Sequence, residues 1–141
     1  MKKIICLVVV ILMIAAVAYA AKKVAITKSN VASLKGTWVG VLDLGKKGET
    51  TPITVEILND APPLKAKWTL ANVPNEVAAA FGEQGGQKVG ESDDGMITSA
   101  GTVMWIGAQK NFIELTLMDN KKLGVWSFWR GMDMRGTLSK K

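Results

Sequence analysis

Short segments of alternating polarity follow one another from Gly36 to the end of the chain. They are separated by glycine, asparagine, aspartate and proline, which are the residues that turns favour, and all fourteen glycines lie after Ala20. The clearest segment is Leu64 to Ala71, where leucine, alanine and tryptophan alternate with lysine and threonine. Alternation with a period of two is typical of a strand with one buried face. The pattern therefore predicts an all-β fold.

The connections between these segments are mostly of hairpin length, which predicts antiparallel neighbours. About eight strands joined in this way favour an up-and-down β-barrel, because closure of the sheet removes its exposed edges. One short helix is predicted near 75–81, and a tight turn is predicted at Asp94-Gly95. The predicted strands are 36–44, 50–59, 64–71, 87–91, 96–106 (one bulged strand or two short ones), 111–118, 122–130 and 133–138.

The N-terminal residues have the pattern of a bacterial export signal. Met1-Lys2-Lys3 precedes an apolar run from Ile4 to Val17, and Ala18-Tyr19-Ala20 offers small residues for cleavage after Ala20. An uncleaved membrane anchor is the alternative, since the apolar run approaches the length that spans a bilayer. We expect a cleaved signal peptide at 1–20, an N-terminal segment at 21–34 and one barrel domain at 35–141. The mature protein is then secreted or periplasmic, with no membrane span.

Composition argues against most catalytic chemistry. The chain has no histidine, and its one cysteine, Cys6, leaves with the signal peptide. Ser-His-Asp and Cys-His nucleophiles and ordinary zinc sites are thereby excluded from the mature chain. The acidic cluster at 91–94 lacks the spacing of a calcium loop. We expect no enzyme, cofactor or metal, with a pair drawn from Asp43, Glu56 and Glu114 as the one catalytic exception.

The positive charge does not indicate a nucleic-acid site. The formal net charge of +6 includes two lysines of the predicted signal peptide. The remaining lysines are scattered, most of them over predicted turns and termini, where they favour solubility. No nucleic-acid partner is predicted.

A Gly-x-Trp sequence, Gly36-Thr37-Trp38, stands at the head of the first predicted strand. It resembles the lipocalins and the wider group of calycin barrels. In those families this tryptophan plugs the closed end of the barrel, and a basic side chain from the last strand lies across its ring. The resemblance implies a structural pair of Trp38 and Arg135, joined by a cation–π contact. It also implies an interior that holds one small hydrophobic molecule.

The other tryptophans suggest two kinds of site. Trp68 and Trp105, with Met104, are predicted to line a ligand cavity. Trp126 and Phe128 belong to a strand that is apolar on both faces, so its outer face needs cover or a partner. The candidate covers are the N-terminal segment, the short helix and another subunit.

Three functions remain open from the sequence. The first is a binding protein for a small hydrophobic ligand. The second is a structural or interaction protein with a filled barrel, which docks a partner or a second copy through Trp126 and Phe128. The third is a carbohydrate-binding β-sandwich that uses exposed Trp105 and Trp126 as its platform.

Overall fold

The computed structural model describes residues 20–45, 48–80, 82–107, 111–129 and 131–141. The predicted signal peptide, apart from Ala20, lies outside these residues, as do Phe81 of the predicted helix and Arg130 of a predicted strand. The described residues form nine strands, one 3-10 turn and one short helix. Their bounds are β1 (Lys23–Val24), the 3-10 turn (Val31–Leu34), β2 (Gly36–Asp43), β3 (Thr50–Ile57), β4 (Leu64–Val73), α1 (Asn75–Ala79), β5 (Gly86–Ile97), β6 (Val103–Ile106), β7 (Phe112–Met118), β8 (Leu123–Trp129) and β9 (Met132–Lys140).

Strands β2 to β9 form a closed antiparallel barrel. Each pairs with the next along the chain, β9 pairs back onto β2, and β8 joins β7 to β9. The predicted all-β, eight-stranded up-and-down barrel with one short helix is confirmed. The N-terminal segment adds β1 to β7, with Lys23 opposite Met118 and Val24 opposite Leu117.

The core lies inside this barrel and follows from the alternation of the strands. In β3, for example, Ile53, Val55 and Ile57 are buried, whereas Thr54 and Glu56 between them are partly exposed. The alternation predicted for Leu64 to Ala71 agrees with burial in the same way, since Leu64, Ala66 and Leu70 are buried and Lys65 and Lys67 are exposed. Helix α1 adds Val77 and Ala78 to the same core. None of the helices among the described residues has the length and apolar character needed to cross a bilayer.

Trp38 closes one end of the barrel. Its side chain is buried, and its indole N–H donates to the Leu34 carbonyl at 2.7 Å, which ties it to the 3-10 turn. The ammonium group of Lys140 lies 5.4 Å from the centre of the Trp38 ring and donates to the Ser33 carbonyl at 2.9 Å. The end of the barrel is thus sealed by a tryptophan under a lysine.

The predicted pairing of Trp38 with Arg135 is wrong. In the register of β2 and β9, Trp38 lies opposite Lys140, whereas Arg135 lies opposite Asp43 near the other end of β2. Lys140 also has the parity of Met134 and Leu138, which face inward, and Arg135 has the opposite parity. The strand extends two residues beyond its predicted end, and this extension brings Lys140 to the ring.

The predicted tight turn at Asp94-Gly95 is also wrong. Both residues lie within β5, which continues to Ile97, and the chain turns at 98–102 instead. Gly95 makes room for Trp105, because a Cβ at Gly95 would lie 2.3 Å from Cε2 of that ring. Segment 96–106 is consequently not one bulged strand: its first two residues end β5, and its last four form β6.

Candidate functional site

A cavity of about 490 Å³ occupies the half of the barrel away from Trp38. It opens at the end where β4 leads to helix α1 and where β6 leads to β7. Its wall is mainly apolar and comes from all eight barrel strands. The side chains that define it are Ile53, Leu70, Trp105, Ile113, Trp129 and Met134, together with Trp68.

Trp68 spreads along this wall because its neighbour across the sheet has no side chain. Gly90 lies opposite Trp68 in the pairing of β4 with β5. A Cβ at Gly90 would lie 2.3 Å from the Trp68 Nε1 atom, so the indole occupies the space over the glycine. The predicted position of Trp68 on the cavity wall agrees with the structure.

Trp105 forms a fixed part of the same wall. Only 2% of the residue is exposed, and its indole N–H donates to the Leu64 carbonyl at 2.8 Å. A buried N–H with an acceptor holds the ring in one orientation. The predicted position of Trp105 therefore also agrees with the structure, as a rigid surface against which a ligand can pack.

Met104 does not belong to the cavity. Consecutive residues of a strand point to opposite faces of the sheet, so Met104 and Trp105 cannot share one wall. Val103 and Trp105 are buried inside the barrel, and Met104 lies on the outside opposite Met96 and Glu114. The predicted position of Met104 on the cavity wall is wrong for this reason.

An ion pair stands at the open end of the cavity. The Lys88 ammonium lies 3.2 Å from the Glu83 carboxylate, with side chains 28% and 23% exposed. Both residues contribute to the cavity lining. Lys88 shares the inward face of β5 with Gly90 and lies opposite Leu70 of β4.

Lys88 is not among the site residues predicted from the sequence. The alternation of polarity in β5 predicts that Lys88 faces outward, because the apolar Val89 follows it and would be expected to face inward. Val89 instead is 58% exposed and points outward. The register with β4 sets the face of Lys88, and only that pairing could have identified it.

The outer aromatic patch (Phe112, Trp126 and Phe128) lies on the outward face of β7 and β8, and Phe112 and Phe128 also border the cavity at its open end. Phe112 meets Trp126 edge to face, with ring centres 4.9 Å apart, and its ring centre lies 6.1 Å from that of Phe128. Arg135 stacks on Trp126, with its guanidinium carbon 4.6 Å from the ring centre. Asp133 accepts hydrogen bonds from the Trp126 indole at 3.0 Å and from the Arg135 Nε atom at 3.2 Å.

The two predicted covers within the chain lie elsewhere. Strand β1 pairs with the end of β7 that is distant from Phe112, and α1 packs Val77 and Ala78 into the core. Trp126 remains 36% exposed. Within the described residues, neither predicted cover from the same chain lies over this patch, and cover by another subunit stays a prediction.

The predicted carbohydrate platform is not formed. The closed ring of strands makes a barrel rather than a β-sandwich. Trp105 is buried inside and Trp126 is exposed outside, so the two rings cannot meet one sugar. The stacked face of Trp126 is moreover already occupied by Arg135.

The acids considered for catalysis do not converge. Asp43, Glu56 and Glu114 all lie on the outer face of their strands, and Glu114 accepts a hydrogen bond from the Thr102 hydroxyl at 2.6 Å. Across the described ranges, no three acidic side chains come together in a way that could hold a metal ion.

Comparison with models of known protein families, with curated proteins and with solved structures finds no match to this chain. The geometry alone describes a β-barrel suited to ligand binding. Its site is an apolar cavity with a tryptophan wall and one ion pair at the open end.

Proposed function

We propose that this chain is an exported, lipocalin-like binding protein that holds a small hydrophobic molecule inside its barrel. The observation that carries the proposal is the cavity of about 490 Å³. Sites for small molecules have volumes of about 300–1,000 Å³, mostly apolar walls and few polar groups. This cavity combines all three properties.

The physical driving force is the transfer of apolar ligand surface from water to the wall. Each Å² of apolar surface removed from water contributes about 25 cal/mol. Trp105 is fixed by its hydrogen bond to Leu64, and Trp68 is confined between β4 and Gly90. A wall that is already ordered loses little conformational entropy when the ligand enters, which favours affinity.

Export is supported by the sequence of residues 1–20, with its basic start, apolar run and small residues before Ala21. The proposed place of action is outside the cytoplasmic membrane, in the periplasm or beyond. No catalytic step is part of the proposal.

The outer aromatic patch supports a second candidate function, a contact with another protein or a second copy of this chain. Its basis is the exposed Trp126 beside Phe112 and Phe128. Sedimentation velocity at several protein concentrations, on the parent and on Trp126→Ser, tests it for self-association. A parent that associates while the variant does not would support this function; identical monomers would exclude the second copy.

The main proposal is tested with protein expressed from the full coding sequence and purified in its native state. Native mass spectrometry is expected to show a bound small molecule, which lipid extraction then releases for identification. After the bound lipid has been extracted, calorimetric titration of the protein with dodecanol is expected to give saturable binding. Absence of both a bound mass and saturable binding would contradict the proposal.

A further inference from the structure

Lys88 presents a positive charge to the inside of a mainly apolar barrel wall. It lies between Gly86 and Gly90 on the inward face of β5, and its neighbour across the sheet is Leu70. Removing an ammonium group from water is unfavourable unless an opposite charge compensates it. In this structure Glu83, at 3.2 Å, supplies that charge.

The backbone holds both partners of this ion pair. Lys88 belongs to a strand that is hydrogen-bonded to β4. Glu83 belongs to the short connection between α1 and β5, where its own N–H donates to the Ala78 carbonyl at 3.0 Å. A competing anion can therefore reach Lys88 when the Glu83 side chain, rather than its backbone, turns away from the ammonium.

Trp68, Leu70 and Lys88 are neighbours on the inner surface of the barrel. Trp68 lies opposite Gly90, and Leu70, two residues further along β4, lies opposite Lys88. An apolar chain packed along Trp68 and Leu70 would have its end beside the Lys88 ammonium, at the opening of the cavity. The polar end of such a ligand would remain near water while its apolar part is buried.

We propose that Lys88 binds the anionic headgroup of a single-chain amphiphile whose tail fills the cavity. The inference rests on the proposed function and specifies its ligand class. On binding, the carboxylate or phosphate of the ligand takes the place of the Glu83 carboxylate beside Lys88. The exchange keeps the ammonium paired, because one anion replaces another.

Four ligands, each with one saturated twelve-carbon chain, test the proposal by calorimetric titration of the full chain after its bound lipid has been extracted. They are dodecanoate, dodecyl phosphate, dodecanol and dodecylamine. An anionic ligand is expected to bind about tenfold more tightly than dodecanol, since a charge-assisted hydrogen bond in a partly buried site has that effect. The phosphate and the carboxylate together show which anion the site prefers.

Three variants locate the effect. Lys88→Met is expected to remove the roughly tenfold preference for the anion over dodecanol. Lys88→Arg is expected to keep the preference for anions. Lys65→Met removes the same charge from an exposed position of β4, so it serves as the control and is expected to bind all four ligands as the parent does.

Glu83→Gln gives the opposite expectation. Removal of the competing carboxylate should strengthen binding of the anion by up to about fivefold, the range of a partly exposed ion pair. The unfolding midpoint of each variant is measured alongside, and Lys88→Arg keeps the test decisive should Lys88→Met fold poorly.

The results distinguish this inference from the function on which it rests. Equal binding of the anions and dodecanol would overturn the headgroup site and leave the hydrophobic binding protein intact. Tightest binding of dodecylamine, lost in Glu83→Gln, would overturn the assignment of Lys88 in favour of Glu83. Failure of all four ligands to bind would contradict the proposed function itself.

Discussion

Two tryptophans of the inner wall lie over glycines of the neighbouring strand. Trp68 covers Gly90, and Trp105 covers Gly95, and in each case a Cβ on the glycine would come within 2.3 Å of the indole. A side chain at either glycine would force the ring toward the middle of the barrel. The width of the interior is therefore set as much by the missing side chains as by the aromatic ones.

Gly95→Ala tests this packing. We expect a loss of about 1–3 kcal/mol in the free energy of unfolding, because the added methyl group overpacks a site where Trp105 is fixed by its hydrogen bond. Urea denaturation measures the change. Gly124→Ala is the matched control within a strand: its Cβ would meet its nearest neighbour, Thr116, at 3.7 Å. Equal stability of the two variants would contradict the steric explanation.

Lys140 is expected to stabilise the closed end of the barrel. Lys140→Met removes the charge above Trp38 and the hydrogen bond to the Ser33 carbonyl. We expect a loss of about 1 kcal/mol in the free energy of unfolding, the magnitude of a partly exposed cation–π contact. Lys141→Met removes a neighbouring exposed charge and serves as the control. Guanidinium denaturation that gives the same midpoint for both variants would show that the charge over Trp38 does not stabilise the fold.

At the scale of single elements, alternation predicted the strands that have one polar and one apolar face. Strand β4 is the best example, since Ala66 and Leu70 are buried and Lys65 and Lys67 are exposed. The inward face of β5 could not be predicted from alternation. Its inward face carries Lys88 and glycines, and its outward face carries Val89, so polarity and burial disagree.

The parts of the site that could not be predicted depend on register between strands that are distant in the chain. Gly95 resembles a turn residue until Trp105 is seen above it. Lys140 lies beyond the predicted end of the last strand, and only the pairing of β2 with β9 places it opposite Trp38. Local patterns carry no information about such offsets, because each depends on where the preceding hairpins turn.

The N-terminal segment gives a prediction about processing. Lys22 and Asp119 exchange two hydrogen bonds, Lys22 N–H to the Asp119 carboxylate at 3.0 Å and Asp119 N–H to the Lys22 carbonyl at 2.9 Å. Cleavage after Ala20 would leave this contact complete. We expect N-terminal sequencing of the exported protein to begin at Ala21.

Ala20→Trp is expected to prevent this cleavage, because the peptidase requires a small residue at that position. The variant should keep residues 1–20 and show the mass of the uncleaved chain, which is 15.1 kDa before the substitution is added. Ala21→Ser, one residue further along, is the control and should be cleaved normally. A parent chain that keeps its first twenty residues would contradict the predicted signal peptide and favour the membrane anchor.

At the scale of the whole molecule, the barrel has a filled half and an open half. Trp38, the 3-10 turn and Ile26 fill one end, and the cavity occupies the other. Leaving a cavity unfilled lowers stability, because the atoms that line it lose packing contacts. The proposed binding function explains that cost, since a ligand that binds only the folded state restores stability.

A side chain that fills the cavity should therefore weaken ligand binding while the stability of the ligand-free protein changes little. Ser127 faces the cavity from β8, and Ser127→Phe would place a ring in the space that the ligand needs. We expect dodecanol or dodecanoate binding to weaken by at least about tenfold, the equivalent of about 1.4 kcal/mol. Thermal unfolding without ligand should change little, because the gained apolar contacts offset the lost hydrogen bond from Ser127 to the Phe112 carbonyl.

Ser139→Phe adds the same ring on the exposed face of β9 and should bind as the parent does. If the filled variant still bound ligand with the parent's affinity, the binding site would have to lie outside the barrel.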